Sequence, residues 1–234
     1  MTTINFDAFD VLTFDCYGTL IDWEAGILAA LRAPVRAHGI EADDETLLAD
    51  FGRHESAVEA GPYLAYRDVL GEVLGRLLGE RGAEPTDAER AAFGGSVADW
   101  PAFPDSPAAL ARLHERFQLG VITNCDDDLF AASQARLGVT FDHLVTAQQA
   151  RRYKPNPRGF ELMFERVGLP PARILHVAQS LFHDHVPAKR LGLTTVWVDR
   201  RAGRAGSGAT PPADAAFDLV VPDMATLASL AVPA

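Results

Sequence analysis

Side chains suited to a nucleophilic, anion-binding site follow the apolar runs of this 234-residue chain. Asp15 and Thr19 follow the first run, and Thr123 with Asn124 follows the second. The carboxyl ends of parallel strands open onto one crevice, so we expect these groups to meet there. A carboxylate, hydroxyl groups and an amide in one crevice suit a substitution reaction on a small anionic substrate.

The next two apolar runs add a cation and a second acid. Lys154 follows the third run, and Gln179, Ser180 and Asp184 follow the fourth. Taken singly, each group has an ordinary alternative, such as a polar turn or a surface lysine. Their recurrence at four strand ends favours a functional site over those alternatives.

The composition of the chain excludes several classes of function and location. The formal net charge of −11 argues against nucleic acid or an anionic membrane as a partner. No segment reaches the ~18 apolar residues of a membrane span, and the N-terminus has no signal-peptide pattern. Two cysteines, Cys16 and Cys125, do not make a disulfide framework. We therefore expect a cytoplasmic protein.

Strands alternate with helices through most of the chain, which is typical of an α/β fold. Apolar runs predict strands within 8–20 and at 119–123, 144–145, 174–178, 194–198 and 219–221. Helices are predicted at 107–117, 157–167, 185–191 and from 224 onward. This order predicts a Rossmann-like parallel sheet flanked by helices, with right-handed crossovers.

The segment 22–98 has no convincing strand and interrupts this alternation. Its amphipathic pattern predicts helices at 25–38, 44–60, 63–81 and 87–98, with Asp44 and Thr86 as N-caps. Inserted after the first strand, these helices would cover the strand ends near Asp15. We therefore predict a helical cap domain, 22–98, on an α/β core domain made of 1–21 and 99–234.

Four stretches resemble the motifs of the haloacid dehalogenase superfamily, in the same order and spacing. Residues 14–20 (FDCYGTL) resemble the first motif, whose first aspartate is the nucleophile and forms a covalent aspartyl intermediate. Thr123 with Asn124 matches the second motif, Lys154 the third and residues 178–184 (AQSLFHD) the fourth. The resemblance covers essentially the whole chain and implies a hydrolase with a helical cap.

Two positions depart from the phosphatases of that superfamily. Tyr17 replaces the aspartate that serves as general acid, and an ordinary tyrosine pKa of ~10 suits that task poorly. Gln179 replaces the first acidic residue of the fourth motif, which weakens a Mg²⁺ site. The form DxYGT resembles the 2-haloacid dehalogenase branch. That likeness implies that Asp15 attacks an α-carbon and that water hydrolyses the ester, with no cofactor.

The resemblance also implies roles for the remaining residues. Lys154 would balance the charges of nucleophile and substrate carboxylate, Asp184 would orient Lys154 or the hydrolytic water, and Thr19 would act beside Asp15. The expected substrate-binding residues are Tyr17, Thr123, Asn124, Gln179, Ser180 and Trp100.

The leaving group stays open between a halide and a ring amine. Halide binding in the dehalogenases uses a cap arginine, for which Arg53 and Arg67 are candidates, and Phe160 stands where those enzymes carry a tyrosine. A closer resemblance is to a branch that opens azetidine-2-carboxylate, through stretches such as 99–105 (DWPAFPD) and 153–157 (YKPNP). The partner would be a small carboxylate, and a homodimer is possible.

Other interpretations stay open. A Mg²⁺-dependent phosphatase is the alternative enzyme, and a binding module without turnover is the alternative class. The histidines at 183 and 185 suggest a metal site, but positions two apart do not share a helical face. We expect capping or packing for them instead. Trp23, Tyr63 and Tyr66 either line a pocket or belong to the core.

Overall fold

Parallel strands form the central sheet of this computed structural model, which describes residues 4–204 and 206–233. The strands are β1 (Val11–Phe14), β2 (Gln118–Thr123), β3 (His143–Thr146), β4 (Ile174–Ala178), β5 (Thr194–Val198) and β6 (Leu219–Val221). Within the described residues they form one six-stranded sheet in the order β3-β2-β1-β4-β5-β6. Every neighbouring pair is parallel. The predicted Rossmann-like α/β fold is confirmed.

β1 lies in the middle of the sheet, and all four of its residues are buried. A strand covered on both faces needs a continuous apolar run, as this one has. Phe14 is in register with Val121 of β2 and with Val177 of β4. The chain therefore leaves these three strands at one edge of the sheet, and Asp15 stands at that edge.

Helices fill the connections between the strands. The first four are α1 (Trp23–Ala37), α2 (Asp44–Glu59), α3 (Tyr66–Gly79) and α4 (Asp87–Gly95), all between β1 and β2. The others are α5 (Ser106–His114), α6 (Asp127–Leu137), α7 (Ala147–Ala150), α8 (Arg158–Val167), α9 (Val186–Arg190) and α10 (Met224–Ala231). Helices thus occupy the segment predicted to be a cap, whose limits as a separate domain stay a prediction.

The N-caps show how local signals set most of these helix starts. Thr86 caps α4 through a capping box with Glu89, as predicted for this residue. The predicted cap Asp44 is wrong by one position, because the Asp43 side chain accepts the hydrogen bond from Thr46 N at 2.7 Å. Asp44 is instead the first helical residue of α2.

A contact distant in sequence sets the start of α3. The Asp126 carboxylate, at the start of α6, accepts hydrogen bonds from the backbone N–H groups of Tyr66 and Arg67. It therefore caps α3 from outside, and the helix begins at Tyr66 rather than at the predicted position 63. Among the described helices, none combines the length and apolar character of a membrane-spanning helix.

Candidate active site

Asp15 stands in a tight turn at the end of β1. Gly18 adopts a φ of +91°, a conformation that side chains rarely allow, and this lets the chain fold back beside Asp15. The Thr19 hydroxyl then donates to Asp15 Oδ2 at 2.7 Å. It accepts in turn from the backbone N–H of Gln179 at 2.9 Å. The turn therefore fixes one oxygen of the buried carboxylate.

Lys154 joins the ends of three strands. Its Nζ donates to Asp15 Oδ1 at 2.8 Å, to Asp184 Oδ1 at 2.7 Å and to the carbonyl of Ile122 at 2.8 Å. These contacts use all three donors of the ammonium group. Its backbone N–H donates to Asn124 Oδ1 at 2.7 Å, which anchors the residue before its side chain turns inward. Lys154 is 3% exposed, so water screens these ion pairs little.

The ion pairs alter the protonation of the buried groups. Burial alone would lower the pKa of Lys154, but the charges of Asp15 and Asp184 raise it above its usual range. Burial would raise the pKa of Asp184, yet Lys154 and a hydrogen bond from His176 lower it well below its usual range. For Asp15 burial prevails and the pKa is raised, although Lys154 and Thr19 oppose this. Asp15 is thus the more basic carboxylate of the pair.

His176 belongs to this network, and the sequence interpretation missed it. It lies fully buried in β4, where its Nε2 is 3.1 Å from Asp184 Oδ1 and its Nδ1 is 3.0 Å from Thr13 Oγ1. Since an ionised carboxylate can only accept, Nε2 carries a proton. Asp184 Oδ1 therefore receives two donors, whereas its buried Oδ2 has no hydrogen-bond partner among the described residues. The sequence signal that could have identified His176 is a histidine within an otherwise apolar strand.

Two glutamates of α2 reach the same site from the other side. The Glu55 carboxylate accepts a 2.6 Å hydrogen bond from the Tyr66 hydroxyl. Glu59 Oε2 accepts from Asn124 Nδ2 at 3.1 Å. Both glutamates were missed, although Glu55 stands four residues after Phe51 on the buried face of its helix. A carboxylate at such a position is unusual and was a usable signal.

Core and cap residues enclose a cavity of about 30 Å³. Its lining within the described residues includes four carboxyl groups and one ammonium group, from Asp15, Glu55, Glu59, Asp184 and Lys154. An open cleft of about 610 Å³ lies next to it, and Glu59, Lys154 and His183 border both spaces. These three side chains therefore separate the cavity from the cleft.

Several predicted binding residues reach the cavity. Asn124 and Ser180 line it, as do the aromatic rings of Tyr17, Trp23 and Tyr66. The Tyr17 hydroxyl, however, lies 3.0 Å from Ser133 Oγ and 3.3 Å from Cys125 Sγ. The ring of Tyr17 thus lines the cavity, while its hydroxyl group contacts side chains in the protein interior.

Three other predicted residues lie beside the cavity rather than in its lining. Trp100 is a correction: it is 1% exposed and packs edge-on against Tyr17, 5.5 Å between centroids. It also covers Gly26, where a Cβ atom would lie 2.3 Å from the indole. The Gln179 side chain accepts from Thr210 at 3.3 Å, so Gln179 serves the site through its backbone. Thr123 is buried at the end of β2.

The candidate halide arginines lie at the surface. Arg53 is about half exposed and pairs with Asp50 and Glu80, and Arg67 pairs with Asp128. His183 lines the cavity, whereas His185 Nε2 contacts the backbone carbonyl of Ala178. The two histidines therefore point to different partners, in agreement with packing rather than joint metal binding.

Comparison with known proteins places this geometry in a family. A family model described as haloacid dehalogenase-like hydrolase matches residues 9–182, well over half of the chain. The chain belongs to this family. The match runs from the start of β1 to the fourth motif, so it includes Asp15, Lys154 and the intervening helices. Membership confirms the expected superfamily and shows that the protein is a hydrolase.

Relatives of this haloacid dehalogenase-like hydrolase differ in their activities. An (S)-2-haloacid dehalogenase of Xanthobacter autotrophicus is 29% identical over 192 residues, covering 81% of this chain and 74% of the relative. Validoxylamine A 7'-phosphate phosphatase of Streptomyces hygroscopicus subsp. limoneus is 28% identical over 200 residues, covering 80% and 84%. Since a dehalogenase and a phosphatase are similarly distant, the residues of the site must discriminate between these activities.

A solved structure of a dehalogenase extends the comparison to the whole fold. The L-2-haloacid dehalogenase of Xanthobacter autotrophicus with chloropropionic acid covalently bound superimposes with a TM-score of 0.77 at 25% identity. The superposition covers 95% of this chain and 98% of that chain. The core and the inserted helices therefore share one arrangement in the two proteins.

Proposed function

We propose that this hydrolase displaces a leaving group from the α-carbon of a small 2-substituted carboxylic acid, through an ester on Asp15. The observation that carries the proposal is the way the Asp15 carboxylate is held. Lys154 binds its Oδ1 and Thr19 binds its Oδ2, at the edge of a small cavity. A nucleophile held in one orientation needs little rearrangement to reach its transition state.

The reaction has two halves. An Asp15 oxygen attacks the α-carbon, a C–O bond forms, and the bond to the leaving group breaks with its electron pair departing on that group. Water then attacks the carbonyl carbon of the ester, which releases a 2-hydroxy acid and restores Asp15. Asp184 Oδ2 is buried and has no hydrogen-bond partner among the described residues. We therefore propose that it accepts the proton of the attacking water. Lys154 offsets the negative charge in both halves.

A Mg²⁺-dependent phosphatase is supported less well by the same residues. Burial raises the pKa of Tyr17 well above its usual range, so the phenol is a weak acid at the position of a general acid. Gln179 leaves the fourth motif one carboxylate short, and its side chain is bonded to Thr210. Asp15 Oδ1 and Asp184 Oδ1 are both engaged by Lys154. This donor set does not fit a hard divalent cation.

Two leaving groups suit attack at an α-carbon without metal or organic cofactor. A halide is suggested by the names of the dehalogenase relatives. The ring nitrogen of azetidine-2-carboxylate is suggested by the resemblance in the motifs around Asp15 and Lys154. In both cases the substrate is a carboxylate of few atoms.

A single turnover in ¹⁸O-labelled water tests the proposal. Excess enzyme, free of metal, is mixed with (S)-2-chloropropionate or with azetidine-2-carboxylate, and the Asp15 peptide is analysed by mass spectrometry. Hydrolysis at the ester carbonyl carbon places the label in Asp15 and leaves the first product unlabelled. The expected result is therefore one ¹⁸O atom in this peptide with at least one of the two substrates.

Other outcomes contradict the proposal. Label in the product but not in the peptide would mean that water attacks the substrate directly. A phosphatase would label the released phosphate, because water attacks phosphorus in an aspartyl phosphate. Activity limited to aryl phosphates and abolished by a chelator would establish that alternative instead.

A further inference from the structure

We propose that Glu59, backed by Glu55, binds a protonated amine on the substrate and thereby selects amine-bearing acids over haloacids. This inference rests on the proposed function and names the substrate class for the same cavity. It concerns the two glutamates of α2, to which neither the motifs nor the family comparison gives a role. The candidate ligand is a small cyclic amino acid whose ring nitrogen is bonded to the α-carbon.

The first support is an unpartnered buried oxygen. The Glu59 side chain is only 4% exposed and lines the cavity that also contains Asp15. Asn124 Nδ2 holds Oε2 at 3.1 Å, whereas the buried Oε1 has no hydrogen-bond partner among the described residues. An unsatisfied buried carboxylate oxygen is costly, so a native site that keeps one is suited to a donor supplied by a ligand.

His183 gives independent support from the core side. Its side chain is 8% exposed, borders the cavity beside Glu59, and has no hydrogen-bond partner at Nε2 among the described residues. Nε2 lies 4.0 Å from Glu59 Oε2, beyond hydrogen-bond distance. Burial lowers the pKa of His183 to about 4, so the ring is neutral near pH 7. It therefore supplies no positive charge that would satisfy Glu59.

The charge balance of the cavity favours a cation. Lys154 is already shared between Asp15 and Asp184, and it contributes all three of its N–H donors to existing contacts. The two glutamates add further acidic groups on the opposite wall, and no arginine lines this cavity in the described ranges. A cation bound beside Glu59 would favour the ionised form of that buried carboxyl and form an ion pair with it, whereas a departing halide would gain no such partner there.

The carboxylate at Glu59 also suits the chemical step. As Asp15 forms its C–O bond, the bond between α-carbon and ring nitrogen breaks and the electron pair stays on nitrogen. The ring opens to a primary amine that remains on the same molecule. Ester hydrolysis then consumes one water, restores Asp15 and releases one proton, which the amine takes up. The net product is a 4-amino-2-hydroxy acid, so atoms and charge balance.

A pair of ligands that differ in one atom tests this inference by binding alone. Azetidine-2-carboxylate and cyclobutanecarboxylate have four-membered rings of similar size, but only the first carries a ring nitrogen. Their dissociation constants are measured by calorimetry on the full chain carrying Asp15→Asn, which blocks turnover. The same pair is then measured on Asp15→Asn/Glu59→Gln. Asp15→Asn/Glu72→Gln is the matched control, because Glu72 is an exposed glutamate of α3.

The expected result is at least a tenfold preference for the amine-bearing ligand in Asp15→Asn. That preference should fall below threefold with Glu59→Gln and persist with Glu72→Gln. Since the ligand pair compares affinities within each protein, Asp15→Asn gives an answer even if the Glu59 variant fails to fold.

Equal affinity for the two ligands, binding of neither, or a preference that survives Glu59→Gln would overturn the inference. These outcomes leave the proposed function standing if (S)-2-chloropropionate still labels Asp15 in the single-turnover experiment. Conversely, amine-selective binding without any label in Asp15 would overturn the proposed function and keep the ammonium site. The two failures are therefore distinguishable.

Discussion

The two walls of the cavity are built on opposite electrostatic principles. On the core wall, Lys154 satisfies Asp15 and Asp184 at 2.7–2.8 Å, so the buried charges there are closely paired. On the cap wall, burial raises the pKa of Glu55 to about 8 and that of Glu59 well above its usual range. The cap carboxylates thus have neutral hydrogen-bond donors but no cation of their own.

This difference suggests that the core wall carries out the reaction and that the cap wall selects the substrate. The paired core wall resembles that of the family and holds the nucleophile whatever the substrate is. The cap wall has no cation, and under our proposal the substrate amine would supply it. Under our two proposals, a short segment of the inserted helices selects the substrate class, while the residues at the strand ends carry out the reaction.

Removing the cation of the core wall should have the largest effect. Lys154→Met leaves Asp15 and Asp184 buried without a counter-charge, which typically costs about 3 kcal/mol of unfolding free energy. We expect kcat/KM to fall by about 10³-fold or more as well. Urea unfolding and steady-state kinetics measure the two effects.

The control is Lys189→Met, which removes a partly exposed pair with Asp218. It should cost about 1 kcal/mol or less and leave kcat/KM unchanged. Near-normal activity in Lys154→Met would contradict the assignment of the core wall to the chemistry.

Asp184→Asn should separate the two half-reactions. It removes the carboxylate that would take a proton from water, so hydrolysis of the ester should slow by about 10²–10⁴-fold. Formation of the ester depends mainly on Asp15 and should be slowed less. Mass spectrometry of quenched enzyme should then show the substrate-derived group on the Asp15 peptide. Slow turnover with no such adduct would argue that Asp184 does not act on the water.

Glu55→Gln should alter how stability depends on pH. The folded pKa of about 8 exceeds the ordinary value of 4.5, so the folded state holds the proton more tightly than the unfolded state. The stability from this group is complete below pH 4.5 and is lost as the pH rises through about 8. Between pH 5 and pH 9, wild type should lose up to about 4 kcal/mol more than Glu55→Gln.

Urea unfolding at several pH values measures this difference, with Glu72→Gln as the exposed control. Parallel stability curves for wild type and Glu55→Gln would show that Glu55 is not held as a buried acid. The cap wall would then be charged and solvated, and the contrast with the core wall would be lost.

The smallest effect is expected for the surface arginines of the cap. Arg53→Gln and Arg67→Gln each break exposed ion pairs, so unfolding free energy should change by about 0.5 kcal/mol or less. Turnover of (S)-2-chloropropionate and of azetidine-2-carboxylate should stay within about twofold of wild type. A tenfold loss confined to the haloacid would show that one of these arginines serves a halide.

Much of the core could be predicted because its signals are local. The strands at 174–178, 194–198 and 219–221 have the limits expected from their apolar runs. The start of α10 at Met224 and the cap at Thr86 were also predicted correctly. In contrast, α3 begins three residues late because its cap, Asp126, is distant in sequence. Trp100 is core rather than pocket, because Gly26 leaves room for its ring.

The sequence by itself determined the sheet, the inserted helices and the polar groups at four strand ends, Asp15 among them. Periodicity and motif order carry that information, because each strand end is marked by its own neighbours in the chain. Only the tertiary structure decided that Glu55 and Glu59 face Lys154 across the cavity. Whether a buried carboxylate has a cation as partner depends on which face of a helix packs over which strand end. A local sequence pattern does not contain this information, because the helix and the strand end are distant in the chain.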